Sequence, residues 1–168
     1  GKHGAGILTL ALPRGEKREG ALKEYWAIAE ESAAQHGKTM DRNEWRIVIH
    51  CHLAETREEA IAQTRVKAGN YSRGYFTETL AHDGPNPDLP QDELLPWLVE
   101  QGGWCFGAPD DLIAFIEKLD ERSGGFGGLM LQAVEWADRD AVRKSYELLA
   151  RYVMPRFQGA LVGLEASQ

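Results

Sequence analysis

Cysteine is nearly absent: Cys51 and Cys105 are the only two in 168 residues. Two thiols cannot build the disulfide framework of a small secreted domain, so both are expected reduced, in a cytoplasmic setting. No apolar run approaches the ~20 residues that a membrane-spanning helix needs, and no membrane partner is expected. Positive charge is in deficit. Nineteen Lys and Arg against 26 Asp and Glu leave a net charge of −7. Such a surface repels phosphate backbones, and the basic residues are scattered, so a nucleic-acid partner is not expected. No Met opens the chain, which starts Gly1-Lys2-His3-Gly4 just ahead of an apolar run. This abrupt start is expected to reflect a missing upstream portion, with a removed tag or initiator Met as the alternative. What is present is an ordinary globular balance, 43% hydrophobic and 27% charged, enough for one domain with a real core.

Periodicity orders the chain. Ile7 to Leu12 is short and apolar on both faces, as in a parallel strand covered on both sides, and Pro13-Arg14-Gly15 breaks it. Leu22, Tyr25, Trp26, Ala29 and Ala33 recur at helical spacing before Gly37. Arg46 to Leu53 alternates as a strand. Thr56-Arg57-Glu58-Glu59 reads as a capping box opening a helix towards Tyr71 and past Gly74. Residues 82–103 differ in character: a turn-rich loop, then a short helix from Glu93 to Glu100, expected to be a lid-like insertion. Trp104-Cys105-Phe106 is a brief strand. Pro109-Asp110-Asp111 starts a helix with the stripe Leu112, Phe115, Ile116 and Leu119. Leu129 to Val134 is a further strand. Asp138 caps a last helix carrying Val142, Ser145, Leu149, Tyr152 and Val153, with Pro155 near its end. Residues 159–168 are expected to fray.

The order is β-α-β-α-(loop)-β-α-β-α, which predicts an α/β fold with a parallel sheet and crossover helices. Four βα units over residues 1–158 are half of a closed (β/α)8 barrel; a small open doubly wound sheet is the competing architecture.

The chemistry-bearing residues are few. His50 and His52 lie two apart on one strand and share a face with Arg46 and Val48, while Ile47, Ile49, Cys51 and Leu53 take the other. In a barrel the apolar face packs on helices and the polar face points inward, placing His52 near a pocket mouth. The pair can line a substrate pocket, serve as structural histidines, or hold a metal; no convincing third ligand accompanies them, and no metal is expected. Gly124-Gly125-Phe126-Gly127-Gly128 tempts a phosphate-loop reading. It precedes a strand rather than a helix, so a turn is the better expectation. Glu135 and Trp136 follow the last strand; Glu135 is a candidate base or an exposed loop carboxylate. Asp110-Asp111 reads as helix capping. No Ser-His-Asp order or CxxC motif occurs.

Several stretches match one family. Gly1 to Leu10 resembles the fifth strand region of the bacterial luciferase-like, flavin-dependent monooxygenases. Asp41-Arg42-x-x-Trp45-Arg46 and Ala54-Glu55-Thr56-Arg57-Glu58-Glu59-Ala60 resemble the next strand and helix start. Gly107-Ala108-Pro109-Asp110-Asp111 is similar to the family's Gly-Thr-Pro-Glu/Asp helix start, with Ala108 where Thr is usual. Ser123 to Gly127, and Ser145 to Pro155 above all, resemble its last strand and helix. The limonene monooxygenase-like branch is the most similar. The resemblance covers nearly the whole chain, but only the C-terminal half of a family member.

The resemblance implies a TIM-type barrel that holds FMN at its C-terminal strand ends. The flavin is supplied reduced by a separate reductase, and O2 then adds to it to oxygenate a small apolar organic substrate. It implies that Thr9 and Leu10 border the flavin ring, the Thr hydroxyl bonding a ring carbonyl, and that Tyr71 lies against it, with core packing the alternative for each. His52 would donate a proton during oxygenation; His50 and Glu135 would line the substrate pocket; Arg73 is a weaker candidate for an anionic group. The expected partner is a missing N-terminal half, or a second copy in a self-associating half-barrel module without activity of its own.

Overall fold

The computed structural model describes residues 1–11, 20–81, 83–84, 86–132 and 134–158. Leu12 to Gly15, His82, Pro85 and the tail from Gly159 lie outside them. The elements are β1 (Leu8–Leu10), α1 (Ala21–Gln35), β2 (Arg46–Leu53), α2 (Arg57–Gly74), α3 (Leu94–Glu100), β3 (Trp104–Gly107), α4 (Pro109–Ser123), β4 (Gly128–Gln132), α5 (Arg139–Leu148) and α6 (Met154–Phe157). A 3₁₀ turn over Arg42–Glu44 precedes β2, and π-helical turns extend α2 to Thr79 and join α5 to α6. The expected alternation of strand and helix is present, and every strand pair is parallel.

Local chemistry sets the helix starts as expected. The Thr56 hydroxyl accepts from the Glu59 N–H at 3.1 Å, the Thr half of the expected capping box, while the Glu59 carboxylate accepts from Gln63; Asp138 Oδ1 accepts from the Ala141 N–H at 2.9 Å. Gly124 closes α4 in the left-handed region, φ +75°. At the start of α4, Asp111 Oδ2 accepts from the Ala108 N–H at 2.8 Å, but the methyl of Ala108 returns nothing. Ala108→Thr should supply the missing hydroxyl, add about 1 kcal/mol and raise the melting midpoint by about 2–4 °C. An unchanged or lowered midpoint would refute this account of the cap.

β2 is the hub of the sheet. β1 pairs with it from Leu8↔Arg46 to Leu10↔Val48, and β4 from Arg46↔Gly128 to His50↔Gln132. A strand has two edges, so β1 and β4 flank β2 on opposite sides. β3 takes over one of those edges from His50↔Trp104 to Leu53↔Gly107. The strands therefore do not follow one another around an arc; β4 lies against β2 rather than β3.

The two faces of the sheet differ. Ile47, Ile49, Leu53 and Cys105 join Trp26, Leu112, Leu119 and Leu148 in the main core, so α1, α4 and α5 cover this face. On the opposite face Trp104 and Phe106 pack with Ala68, Leu94, Leu95, Leu98 and Trp136, so α2 and α3 cover its upper half. The strands that would face these aromatics in a closed barrel are not among the described residues, and the two helices shield them instead.

Four expectations change. The strand expected to be covered on both sides is open on one: Leu8 is 63% exposed and Leu10 48%. The stretch expected to form a lid contributes α3, whose Leu94, Leu95 and Leu98 are core residues, so it cannot lift without breaking that packing. Tyr25 and Tyr152, expected on buried stripes, are exposed, and Leu148 takes the buried position on α5.

The Asp41-Arg42-x-x-Trp45 motif has a structural explanation. Asp41 caps the 3₁₀ turn by accepting from the Asn43 N–H. Arg42 Nη1 donates to the carbonyls of Ser123, Gly124 and Gly125 at 2.9–3.1 Å, placing a cation at the negative end of α4. Its guanidinium lies 4.7 Å from the Trp26 ring, and Trp26 stacks on Trp45 at 5.2 Å.

Candidate functional site

The pleat sorts the candidate residues into rows, because partners in a parallel pair share a face. Leu10, Val48 and Met130 form one row across β1, β2 and β4. Leu8 and Arg46 lie in the row below; His50, Gln132 and Trp104 form the row above, and His52 and Phe106 the uppermost. The lower rows are open, with Met130 47% exposed, while α2 and α3 close over the upper ones.

Thr9 and Leu10, paired in the sequence reading, are divided by this geometry. Leu10 faces the open row. Thr9 stands on the helix-covered face, where its hydroxyl accepts from Trp45 Nε1 at 3.0 Å. Tyr71 reaches the upper row from α2. Its ring meets His50 at 5.9 Å and Trp136 edge-on at 5.2 Å, and its hydroxyl accepts from Gln132 Nε2 at 2.6 Å.

His50 stacks on Trp104, centroids 4.2 Å apart and planes within 8°, with Trp136 at its edge. Burial among these rings pushes its pKa down to about 4, so it is neutral at physiological pH.

His52 is 1% exposed, so it does not stand at an open pocket mouth as expected; α2 encloses it. Its Nε2 lies 2.9 Å from Gln63 Oε1, and Gln63 Nε2 donates to Glu59 Oε1 at 2.9 Å. A carboxylate only accepts, so Glu59 fixes the Gln63 amide with its oxygen towards the imidazole. His52 Nε2 must then carry the proton, leaving Nδ1 as an acceptor. Burial lowers the His52 pKa, against smaller upward pulls from Gln63, Asp138 and Glu59. Among the described residues no group of three or more His, Cys, Asp or Glu is placed to hold a metal.

Glu135 lies apart from these rings. It is exposed beyond β4, in an open groove of about 790 Å³ with Lys67, Asp138, Arg139 and Tyr146. Arg73 donates to the carbonyls of Pro87 and Leu89 and ties α2 to the following loop. The glycine-rich segment presents carbonyls, not amides: those of Gly124 and Gly125 accept from Arg42, while the Gly127 and Gly128 N–H groups donate to the Trp45 carbonyl. That polarity suits a cation and excludes a phosphate cradle.

Sequence reasoning missed Gln132 and Gln63; it placed Trp136 after the last strand and Trp104 within a strand, but joined neither to His50. Gln132 carried a signal, since it is the polar residue of an otherwise apolar strand. Gln63 carried none, because nothing in its spacing points at His52.

Among the described residues no helix is long and apolar enough to cross a membrane. No family model matches the chain. It is 34% identical over 168 residues to 4-hydroxyprotoasukamycin monooxygenase of Streptomyces nodosus subsp. asukaensis, covering 99% of this chain and 45% of that protein. It is 38% identical over 163 residues to limonene 1,2-monooxygenase of Rhodococcus erythropolis, covering 96% of this chain and 41% of that protein. The chain thus spans less than half the length of these relatives. Its fold is similar to the oxygenating constituent of 3,6-diketocamphane monooxygenase of Pseudomonas putida, a type II Baeyer-Villiger monooxygenase solved with FMN. That similarity has a TM-score of 0.65 at 24% identity and covers 88% of this chain and 42% of that one.

Proposed function

We propose, from the premise that this chain belongs with the luciferase-like monooxygenases along the stretch it shares with them, that it is part of a flavin-dependent monooxygenase. The whole protein would use reduced FMN, delivered by a separate reductase, and O2 to oxygenate a small apolar organic substrate. The observation that carries this reading is the 38% identity to limonene 1,2-monooxygenase across 96% of the chain.

The open face fits the ring of the cofactor but not its phosphate. Leu10, Val48 and Met130 sit on three adjacent strands. At a strand spacing of about 4.8 Å they offer an apolar floor about 10 Å wide, the width of three fused rings. Three cations on the surrounding elements are engaged: Arg57 with Asp111, Arg73 with backbone carbonyls and Lys67 with the Ala137 carbonyl. The phosphate would find its partners on the rest of the barrel.

When bound, reduced flavin supplies the activation of O2. The tasks left to this chain follow from its own groups. Leu10, Val48 and Met130 keep water from one side of the site. Tyr71, its oxygen already accepting from Gln132, has one proton left to donate. Neutral His50 and Trp104 wall the upper end. His52, its tautomer set through Gln63 and Glu59, holds an accepting Nδ1 below α2 and acts by positioning or as a proton acceptor rather than as an open acid.

The test joins this chain to the N-terminal portion of the limonene monooxygenase relative. The joined protein should bind FMN and, with reductase and O2, form oxygenated product above the free-flavin background. Flavin binding without any product above that background would refute the monooxygenase reading. The second reading, a half-barrel that pairs with its own copy, is favoured by the open Leu8, Leu10 and Met130 face. Concentration-dependent sedimentation of this chain alone would support it, and a monomer at all concentrations would refute it.

A further inference from the structure

We propose that Cys51 and Cys105 form a two-electron oxidation site, closing reversibly to a disulfide between β2 and β3 under hydrogen peroxide. The two residues are Cα partners in the β2–β3 register, and both side chains point to the helix-covered face. Adjacent strands lie about 4.8 Å apart, inside the roughly 4.4–6.8 Å span of Cα separations that disulfides bridge. Cys105 is buried in the main core and Cys51 packs against it there. Strand pairing has therefore brought together two cysteines 54 residues apart in sequence, the only two in the chain.

Each sulfur also borders a void. Cys51 lines a cavity of about 20 Å³ with His52, Leu131, Ser145 and Leu149. That volume holds about one water molecule, and hydrogen peroxide is only slightly larger. Cys105 lines an open groove of about 420 Å³ beside Arg57, Asp111 and Phe115. Cys51 is half-buried and Cys105 buried. The neighbouring Cys51 thiol and then burial push the Cys105 thiol well above its usual pKa. Cys51 is the less buried sulfur and lines the small cavity, so attack on peroxide begins there.

The balance is simple. Cys51 sulfur attacks one peroxide oxygen, the O–O bond breaks, and the products are a sulfenic acid and one water. Cys105 sulfur then attacks the Cys51 sulfur; the S–S bond forms, the S–OH bond breaks, and the thiol proton leaves with the hydroxyl as a second water. Two thiols are oxidised by two electrons and one peroxide is reduced. This inference is independent of the proposed flavin chemistry, because peroxide is added as the reagent.

The test treats the folded protein with hydrogen peroxide and reads intact mass and linked peptides. The expected product is a monomer lighter by two hydrogen atoms, with one Cys51–Cys105 cross-link that dithiothreitol reverses. The Cys105→Ala variant should instead accumulate a dimedone-trappable sulfenic acid at Cys51, and the Cys51→Ala variant should react more slowly at Cys105. Exposed Met130 reports that the oxidant is active. Chain-to-chain disulfides, sulfinic acid without a cross-link, or intact thiols once Met130 is sulfoxide would each overturn the proposal.

Discussion

Gly127→Ala is expected to lower the stability of the domain by about 3–5 kcal/mol, the upper end of what overpacking does. A β-carbon at this position would lie 1.9 Å from the Asn43 carbonyl oxygen and 2.5 Å from the Asn43 Cα. Both are backbone atoms, so no side-chain rotation relieves the overlap. The 3₁₀ turn at Arg42–Glu44 or the start of β4 must move. Either movement breaks the pair of hydrogen bonds from Gly127 and Gly128 to the Trp45 carbonyl, at 3.0 and 3.1 Å. It also pulls Arg42 from the three carbonyls that end α4 and disturbs the Trp26–Trp45 stack. Against a typical total of about 5–15 kcal/mol, such a loss leaves little. Gly125→Ala is the control. Its φ is +97°, but a β-carbon there meets nothing within 4 Å, so only backbone strain of about 1–2 kcal/mol applies. Urea unfolding followed by circular dichroism checks the pair. If the two variants unfold at the same denaturant concentration, close backbone contact at Gly127 is not what holds β4.

Acid should destabilise the protein well above the range where carboxylates titrate, with His50 the main cause. Its pKa is about 4 in the fold and 6.5 when exposed. A base with a depressed folded pKa binds fewer protons folded than unfolded between those values. Its stabilising effect is therefore complete above about pH 6.5 and is lost as the pH falls towards 4. The difference corresponds to about 3 kcal/mol, and attraction between an imidazolium and the Trp104 face returns about 1 kcal/mol of it. His52 is shifted in the same direction and adds to the slope. Asp111 is a separate case. Burial raises its pKa, but Arg57 and the Ala108 N–H outweigh that and hold it below 3.8, so its contribution fades only in stronger acid. His50→Phe keeps the stack on Trp104 without a titrating group. Unfolding free energy measured at several pH values between 7.5 and 4.5 should fall steeply in the parent protein and less in the variant. Parallel pH profiles would remove His50 from the account.

Much of the local structure was legible before any coordinates. Alternation over Arg46–Leu53 correctly separated the two faces of β2, because side chains on a strand alternate with period two. Thr56 and Asp138 marked helix starts, because an oxygen there satisfies an amide that the helix cannot. The glycine run from Gly124 was legible as a turn, and Gly124 ends α4 there because it can occupy the left-handed region. The parallel α/β class followed from the order of elements, and the family resemblance followed from its motifs.

Strand neighbours, and what covers each face, belonged to the tertiary structure. β4 settles against β2 although α4 and β3 precede it, and no spacing states that choice. Thr9 and Leu10 were legible as neighbours but not as residues on opposite sides of a sheet, one tied to Trp45 and the other open. His52 reads in sequence as one of two polar strand residues; only the placing of α2 made it enclosed and set its tautomer through Gln63. Cys51 and Cys105 met only when β3 took its register on β2. The physical reason is common to all of these. Periodicity and caps act within about one helical turn or a strand pair, so the chain states them locally. Pairing across tens of residues is decided by which surfaces remain unburied, and loop-closure entropy varies too slowly with separation to mark the partner in advance.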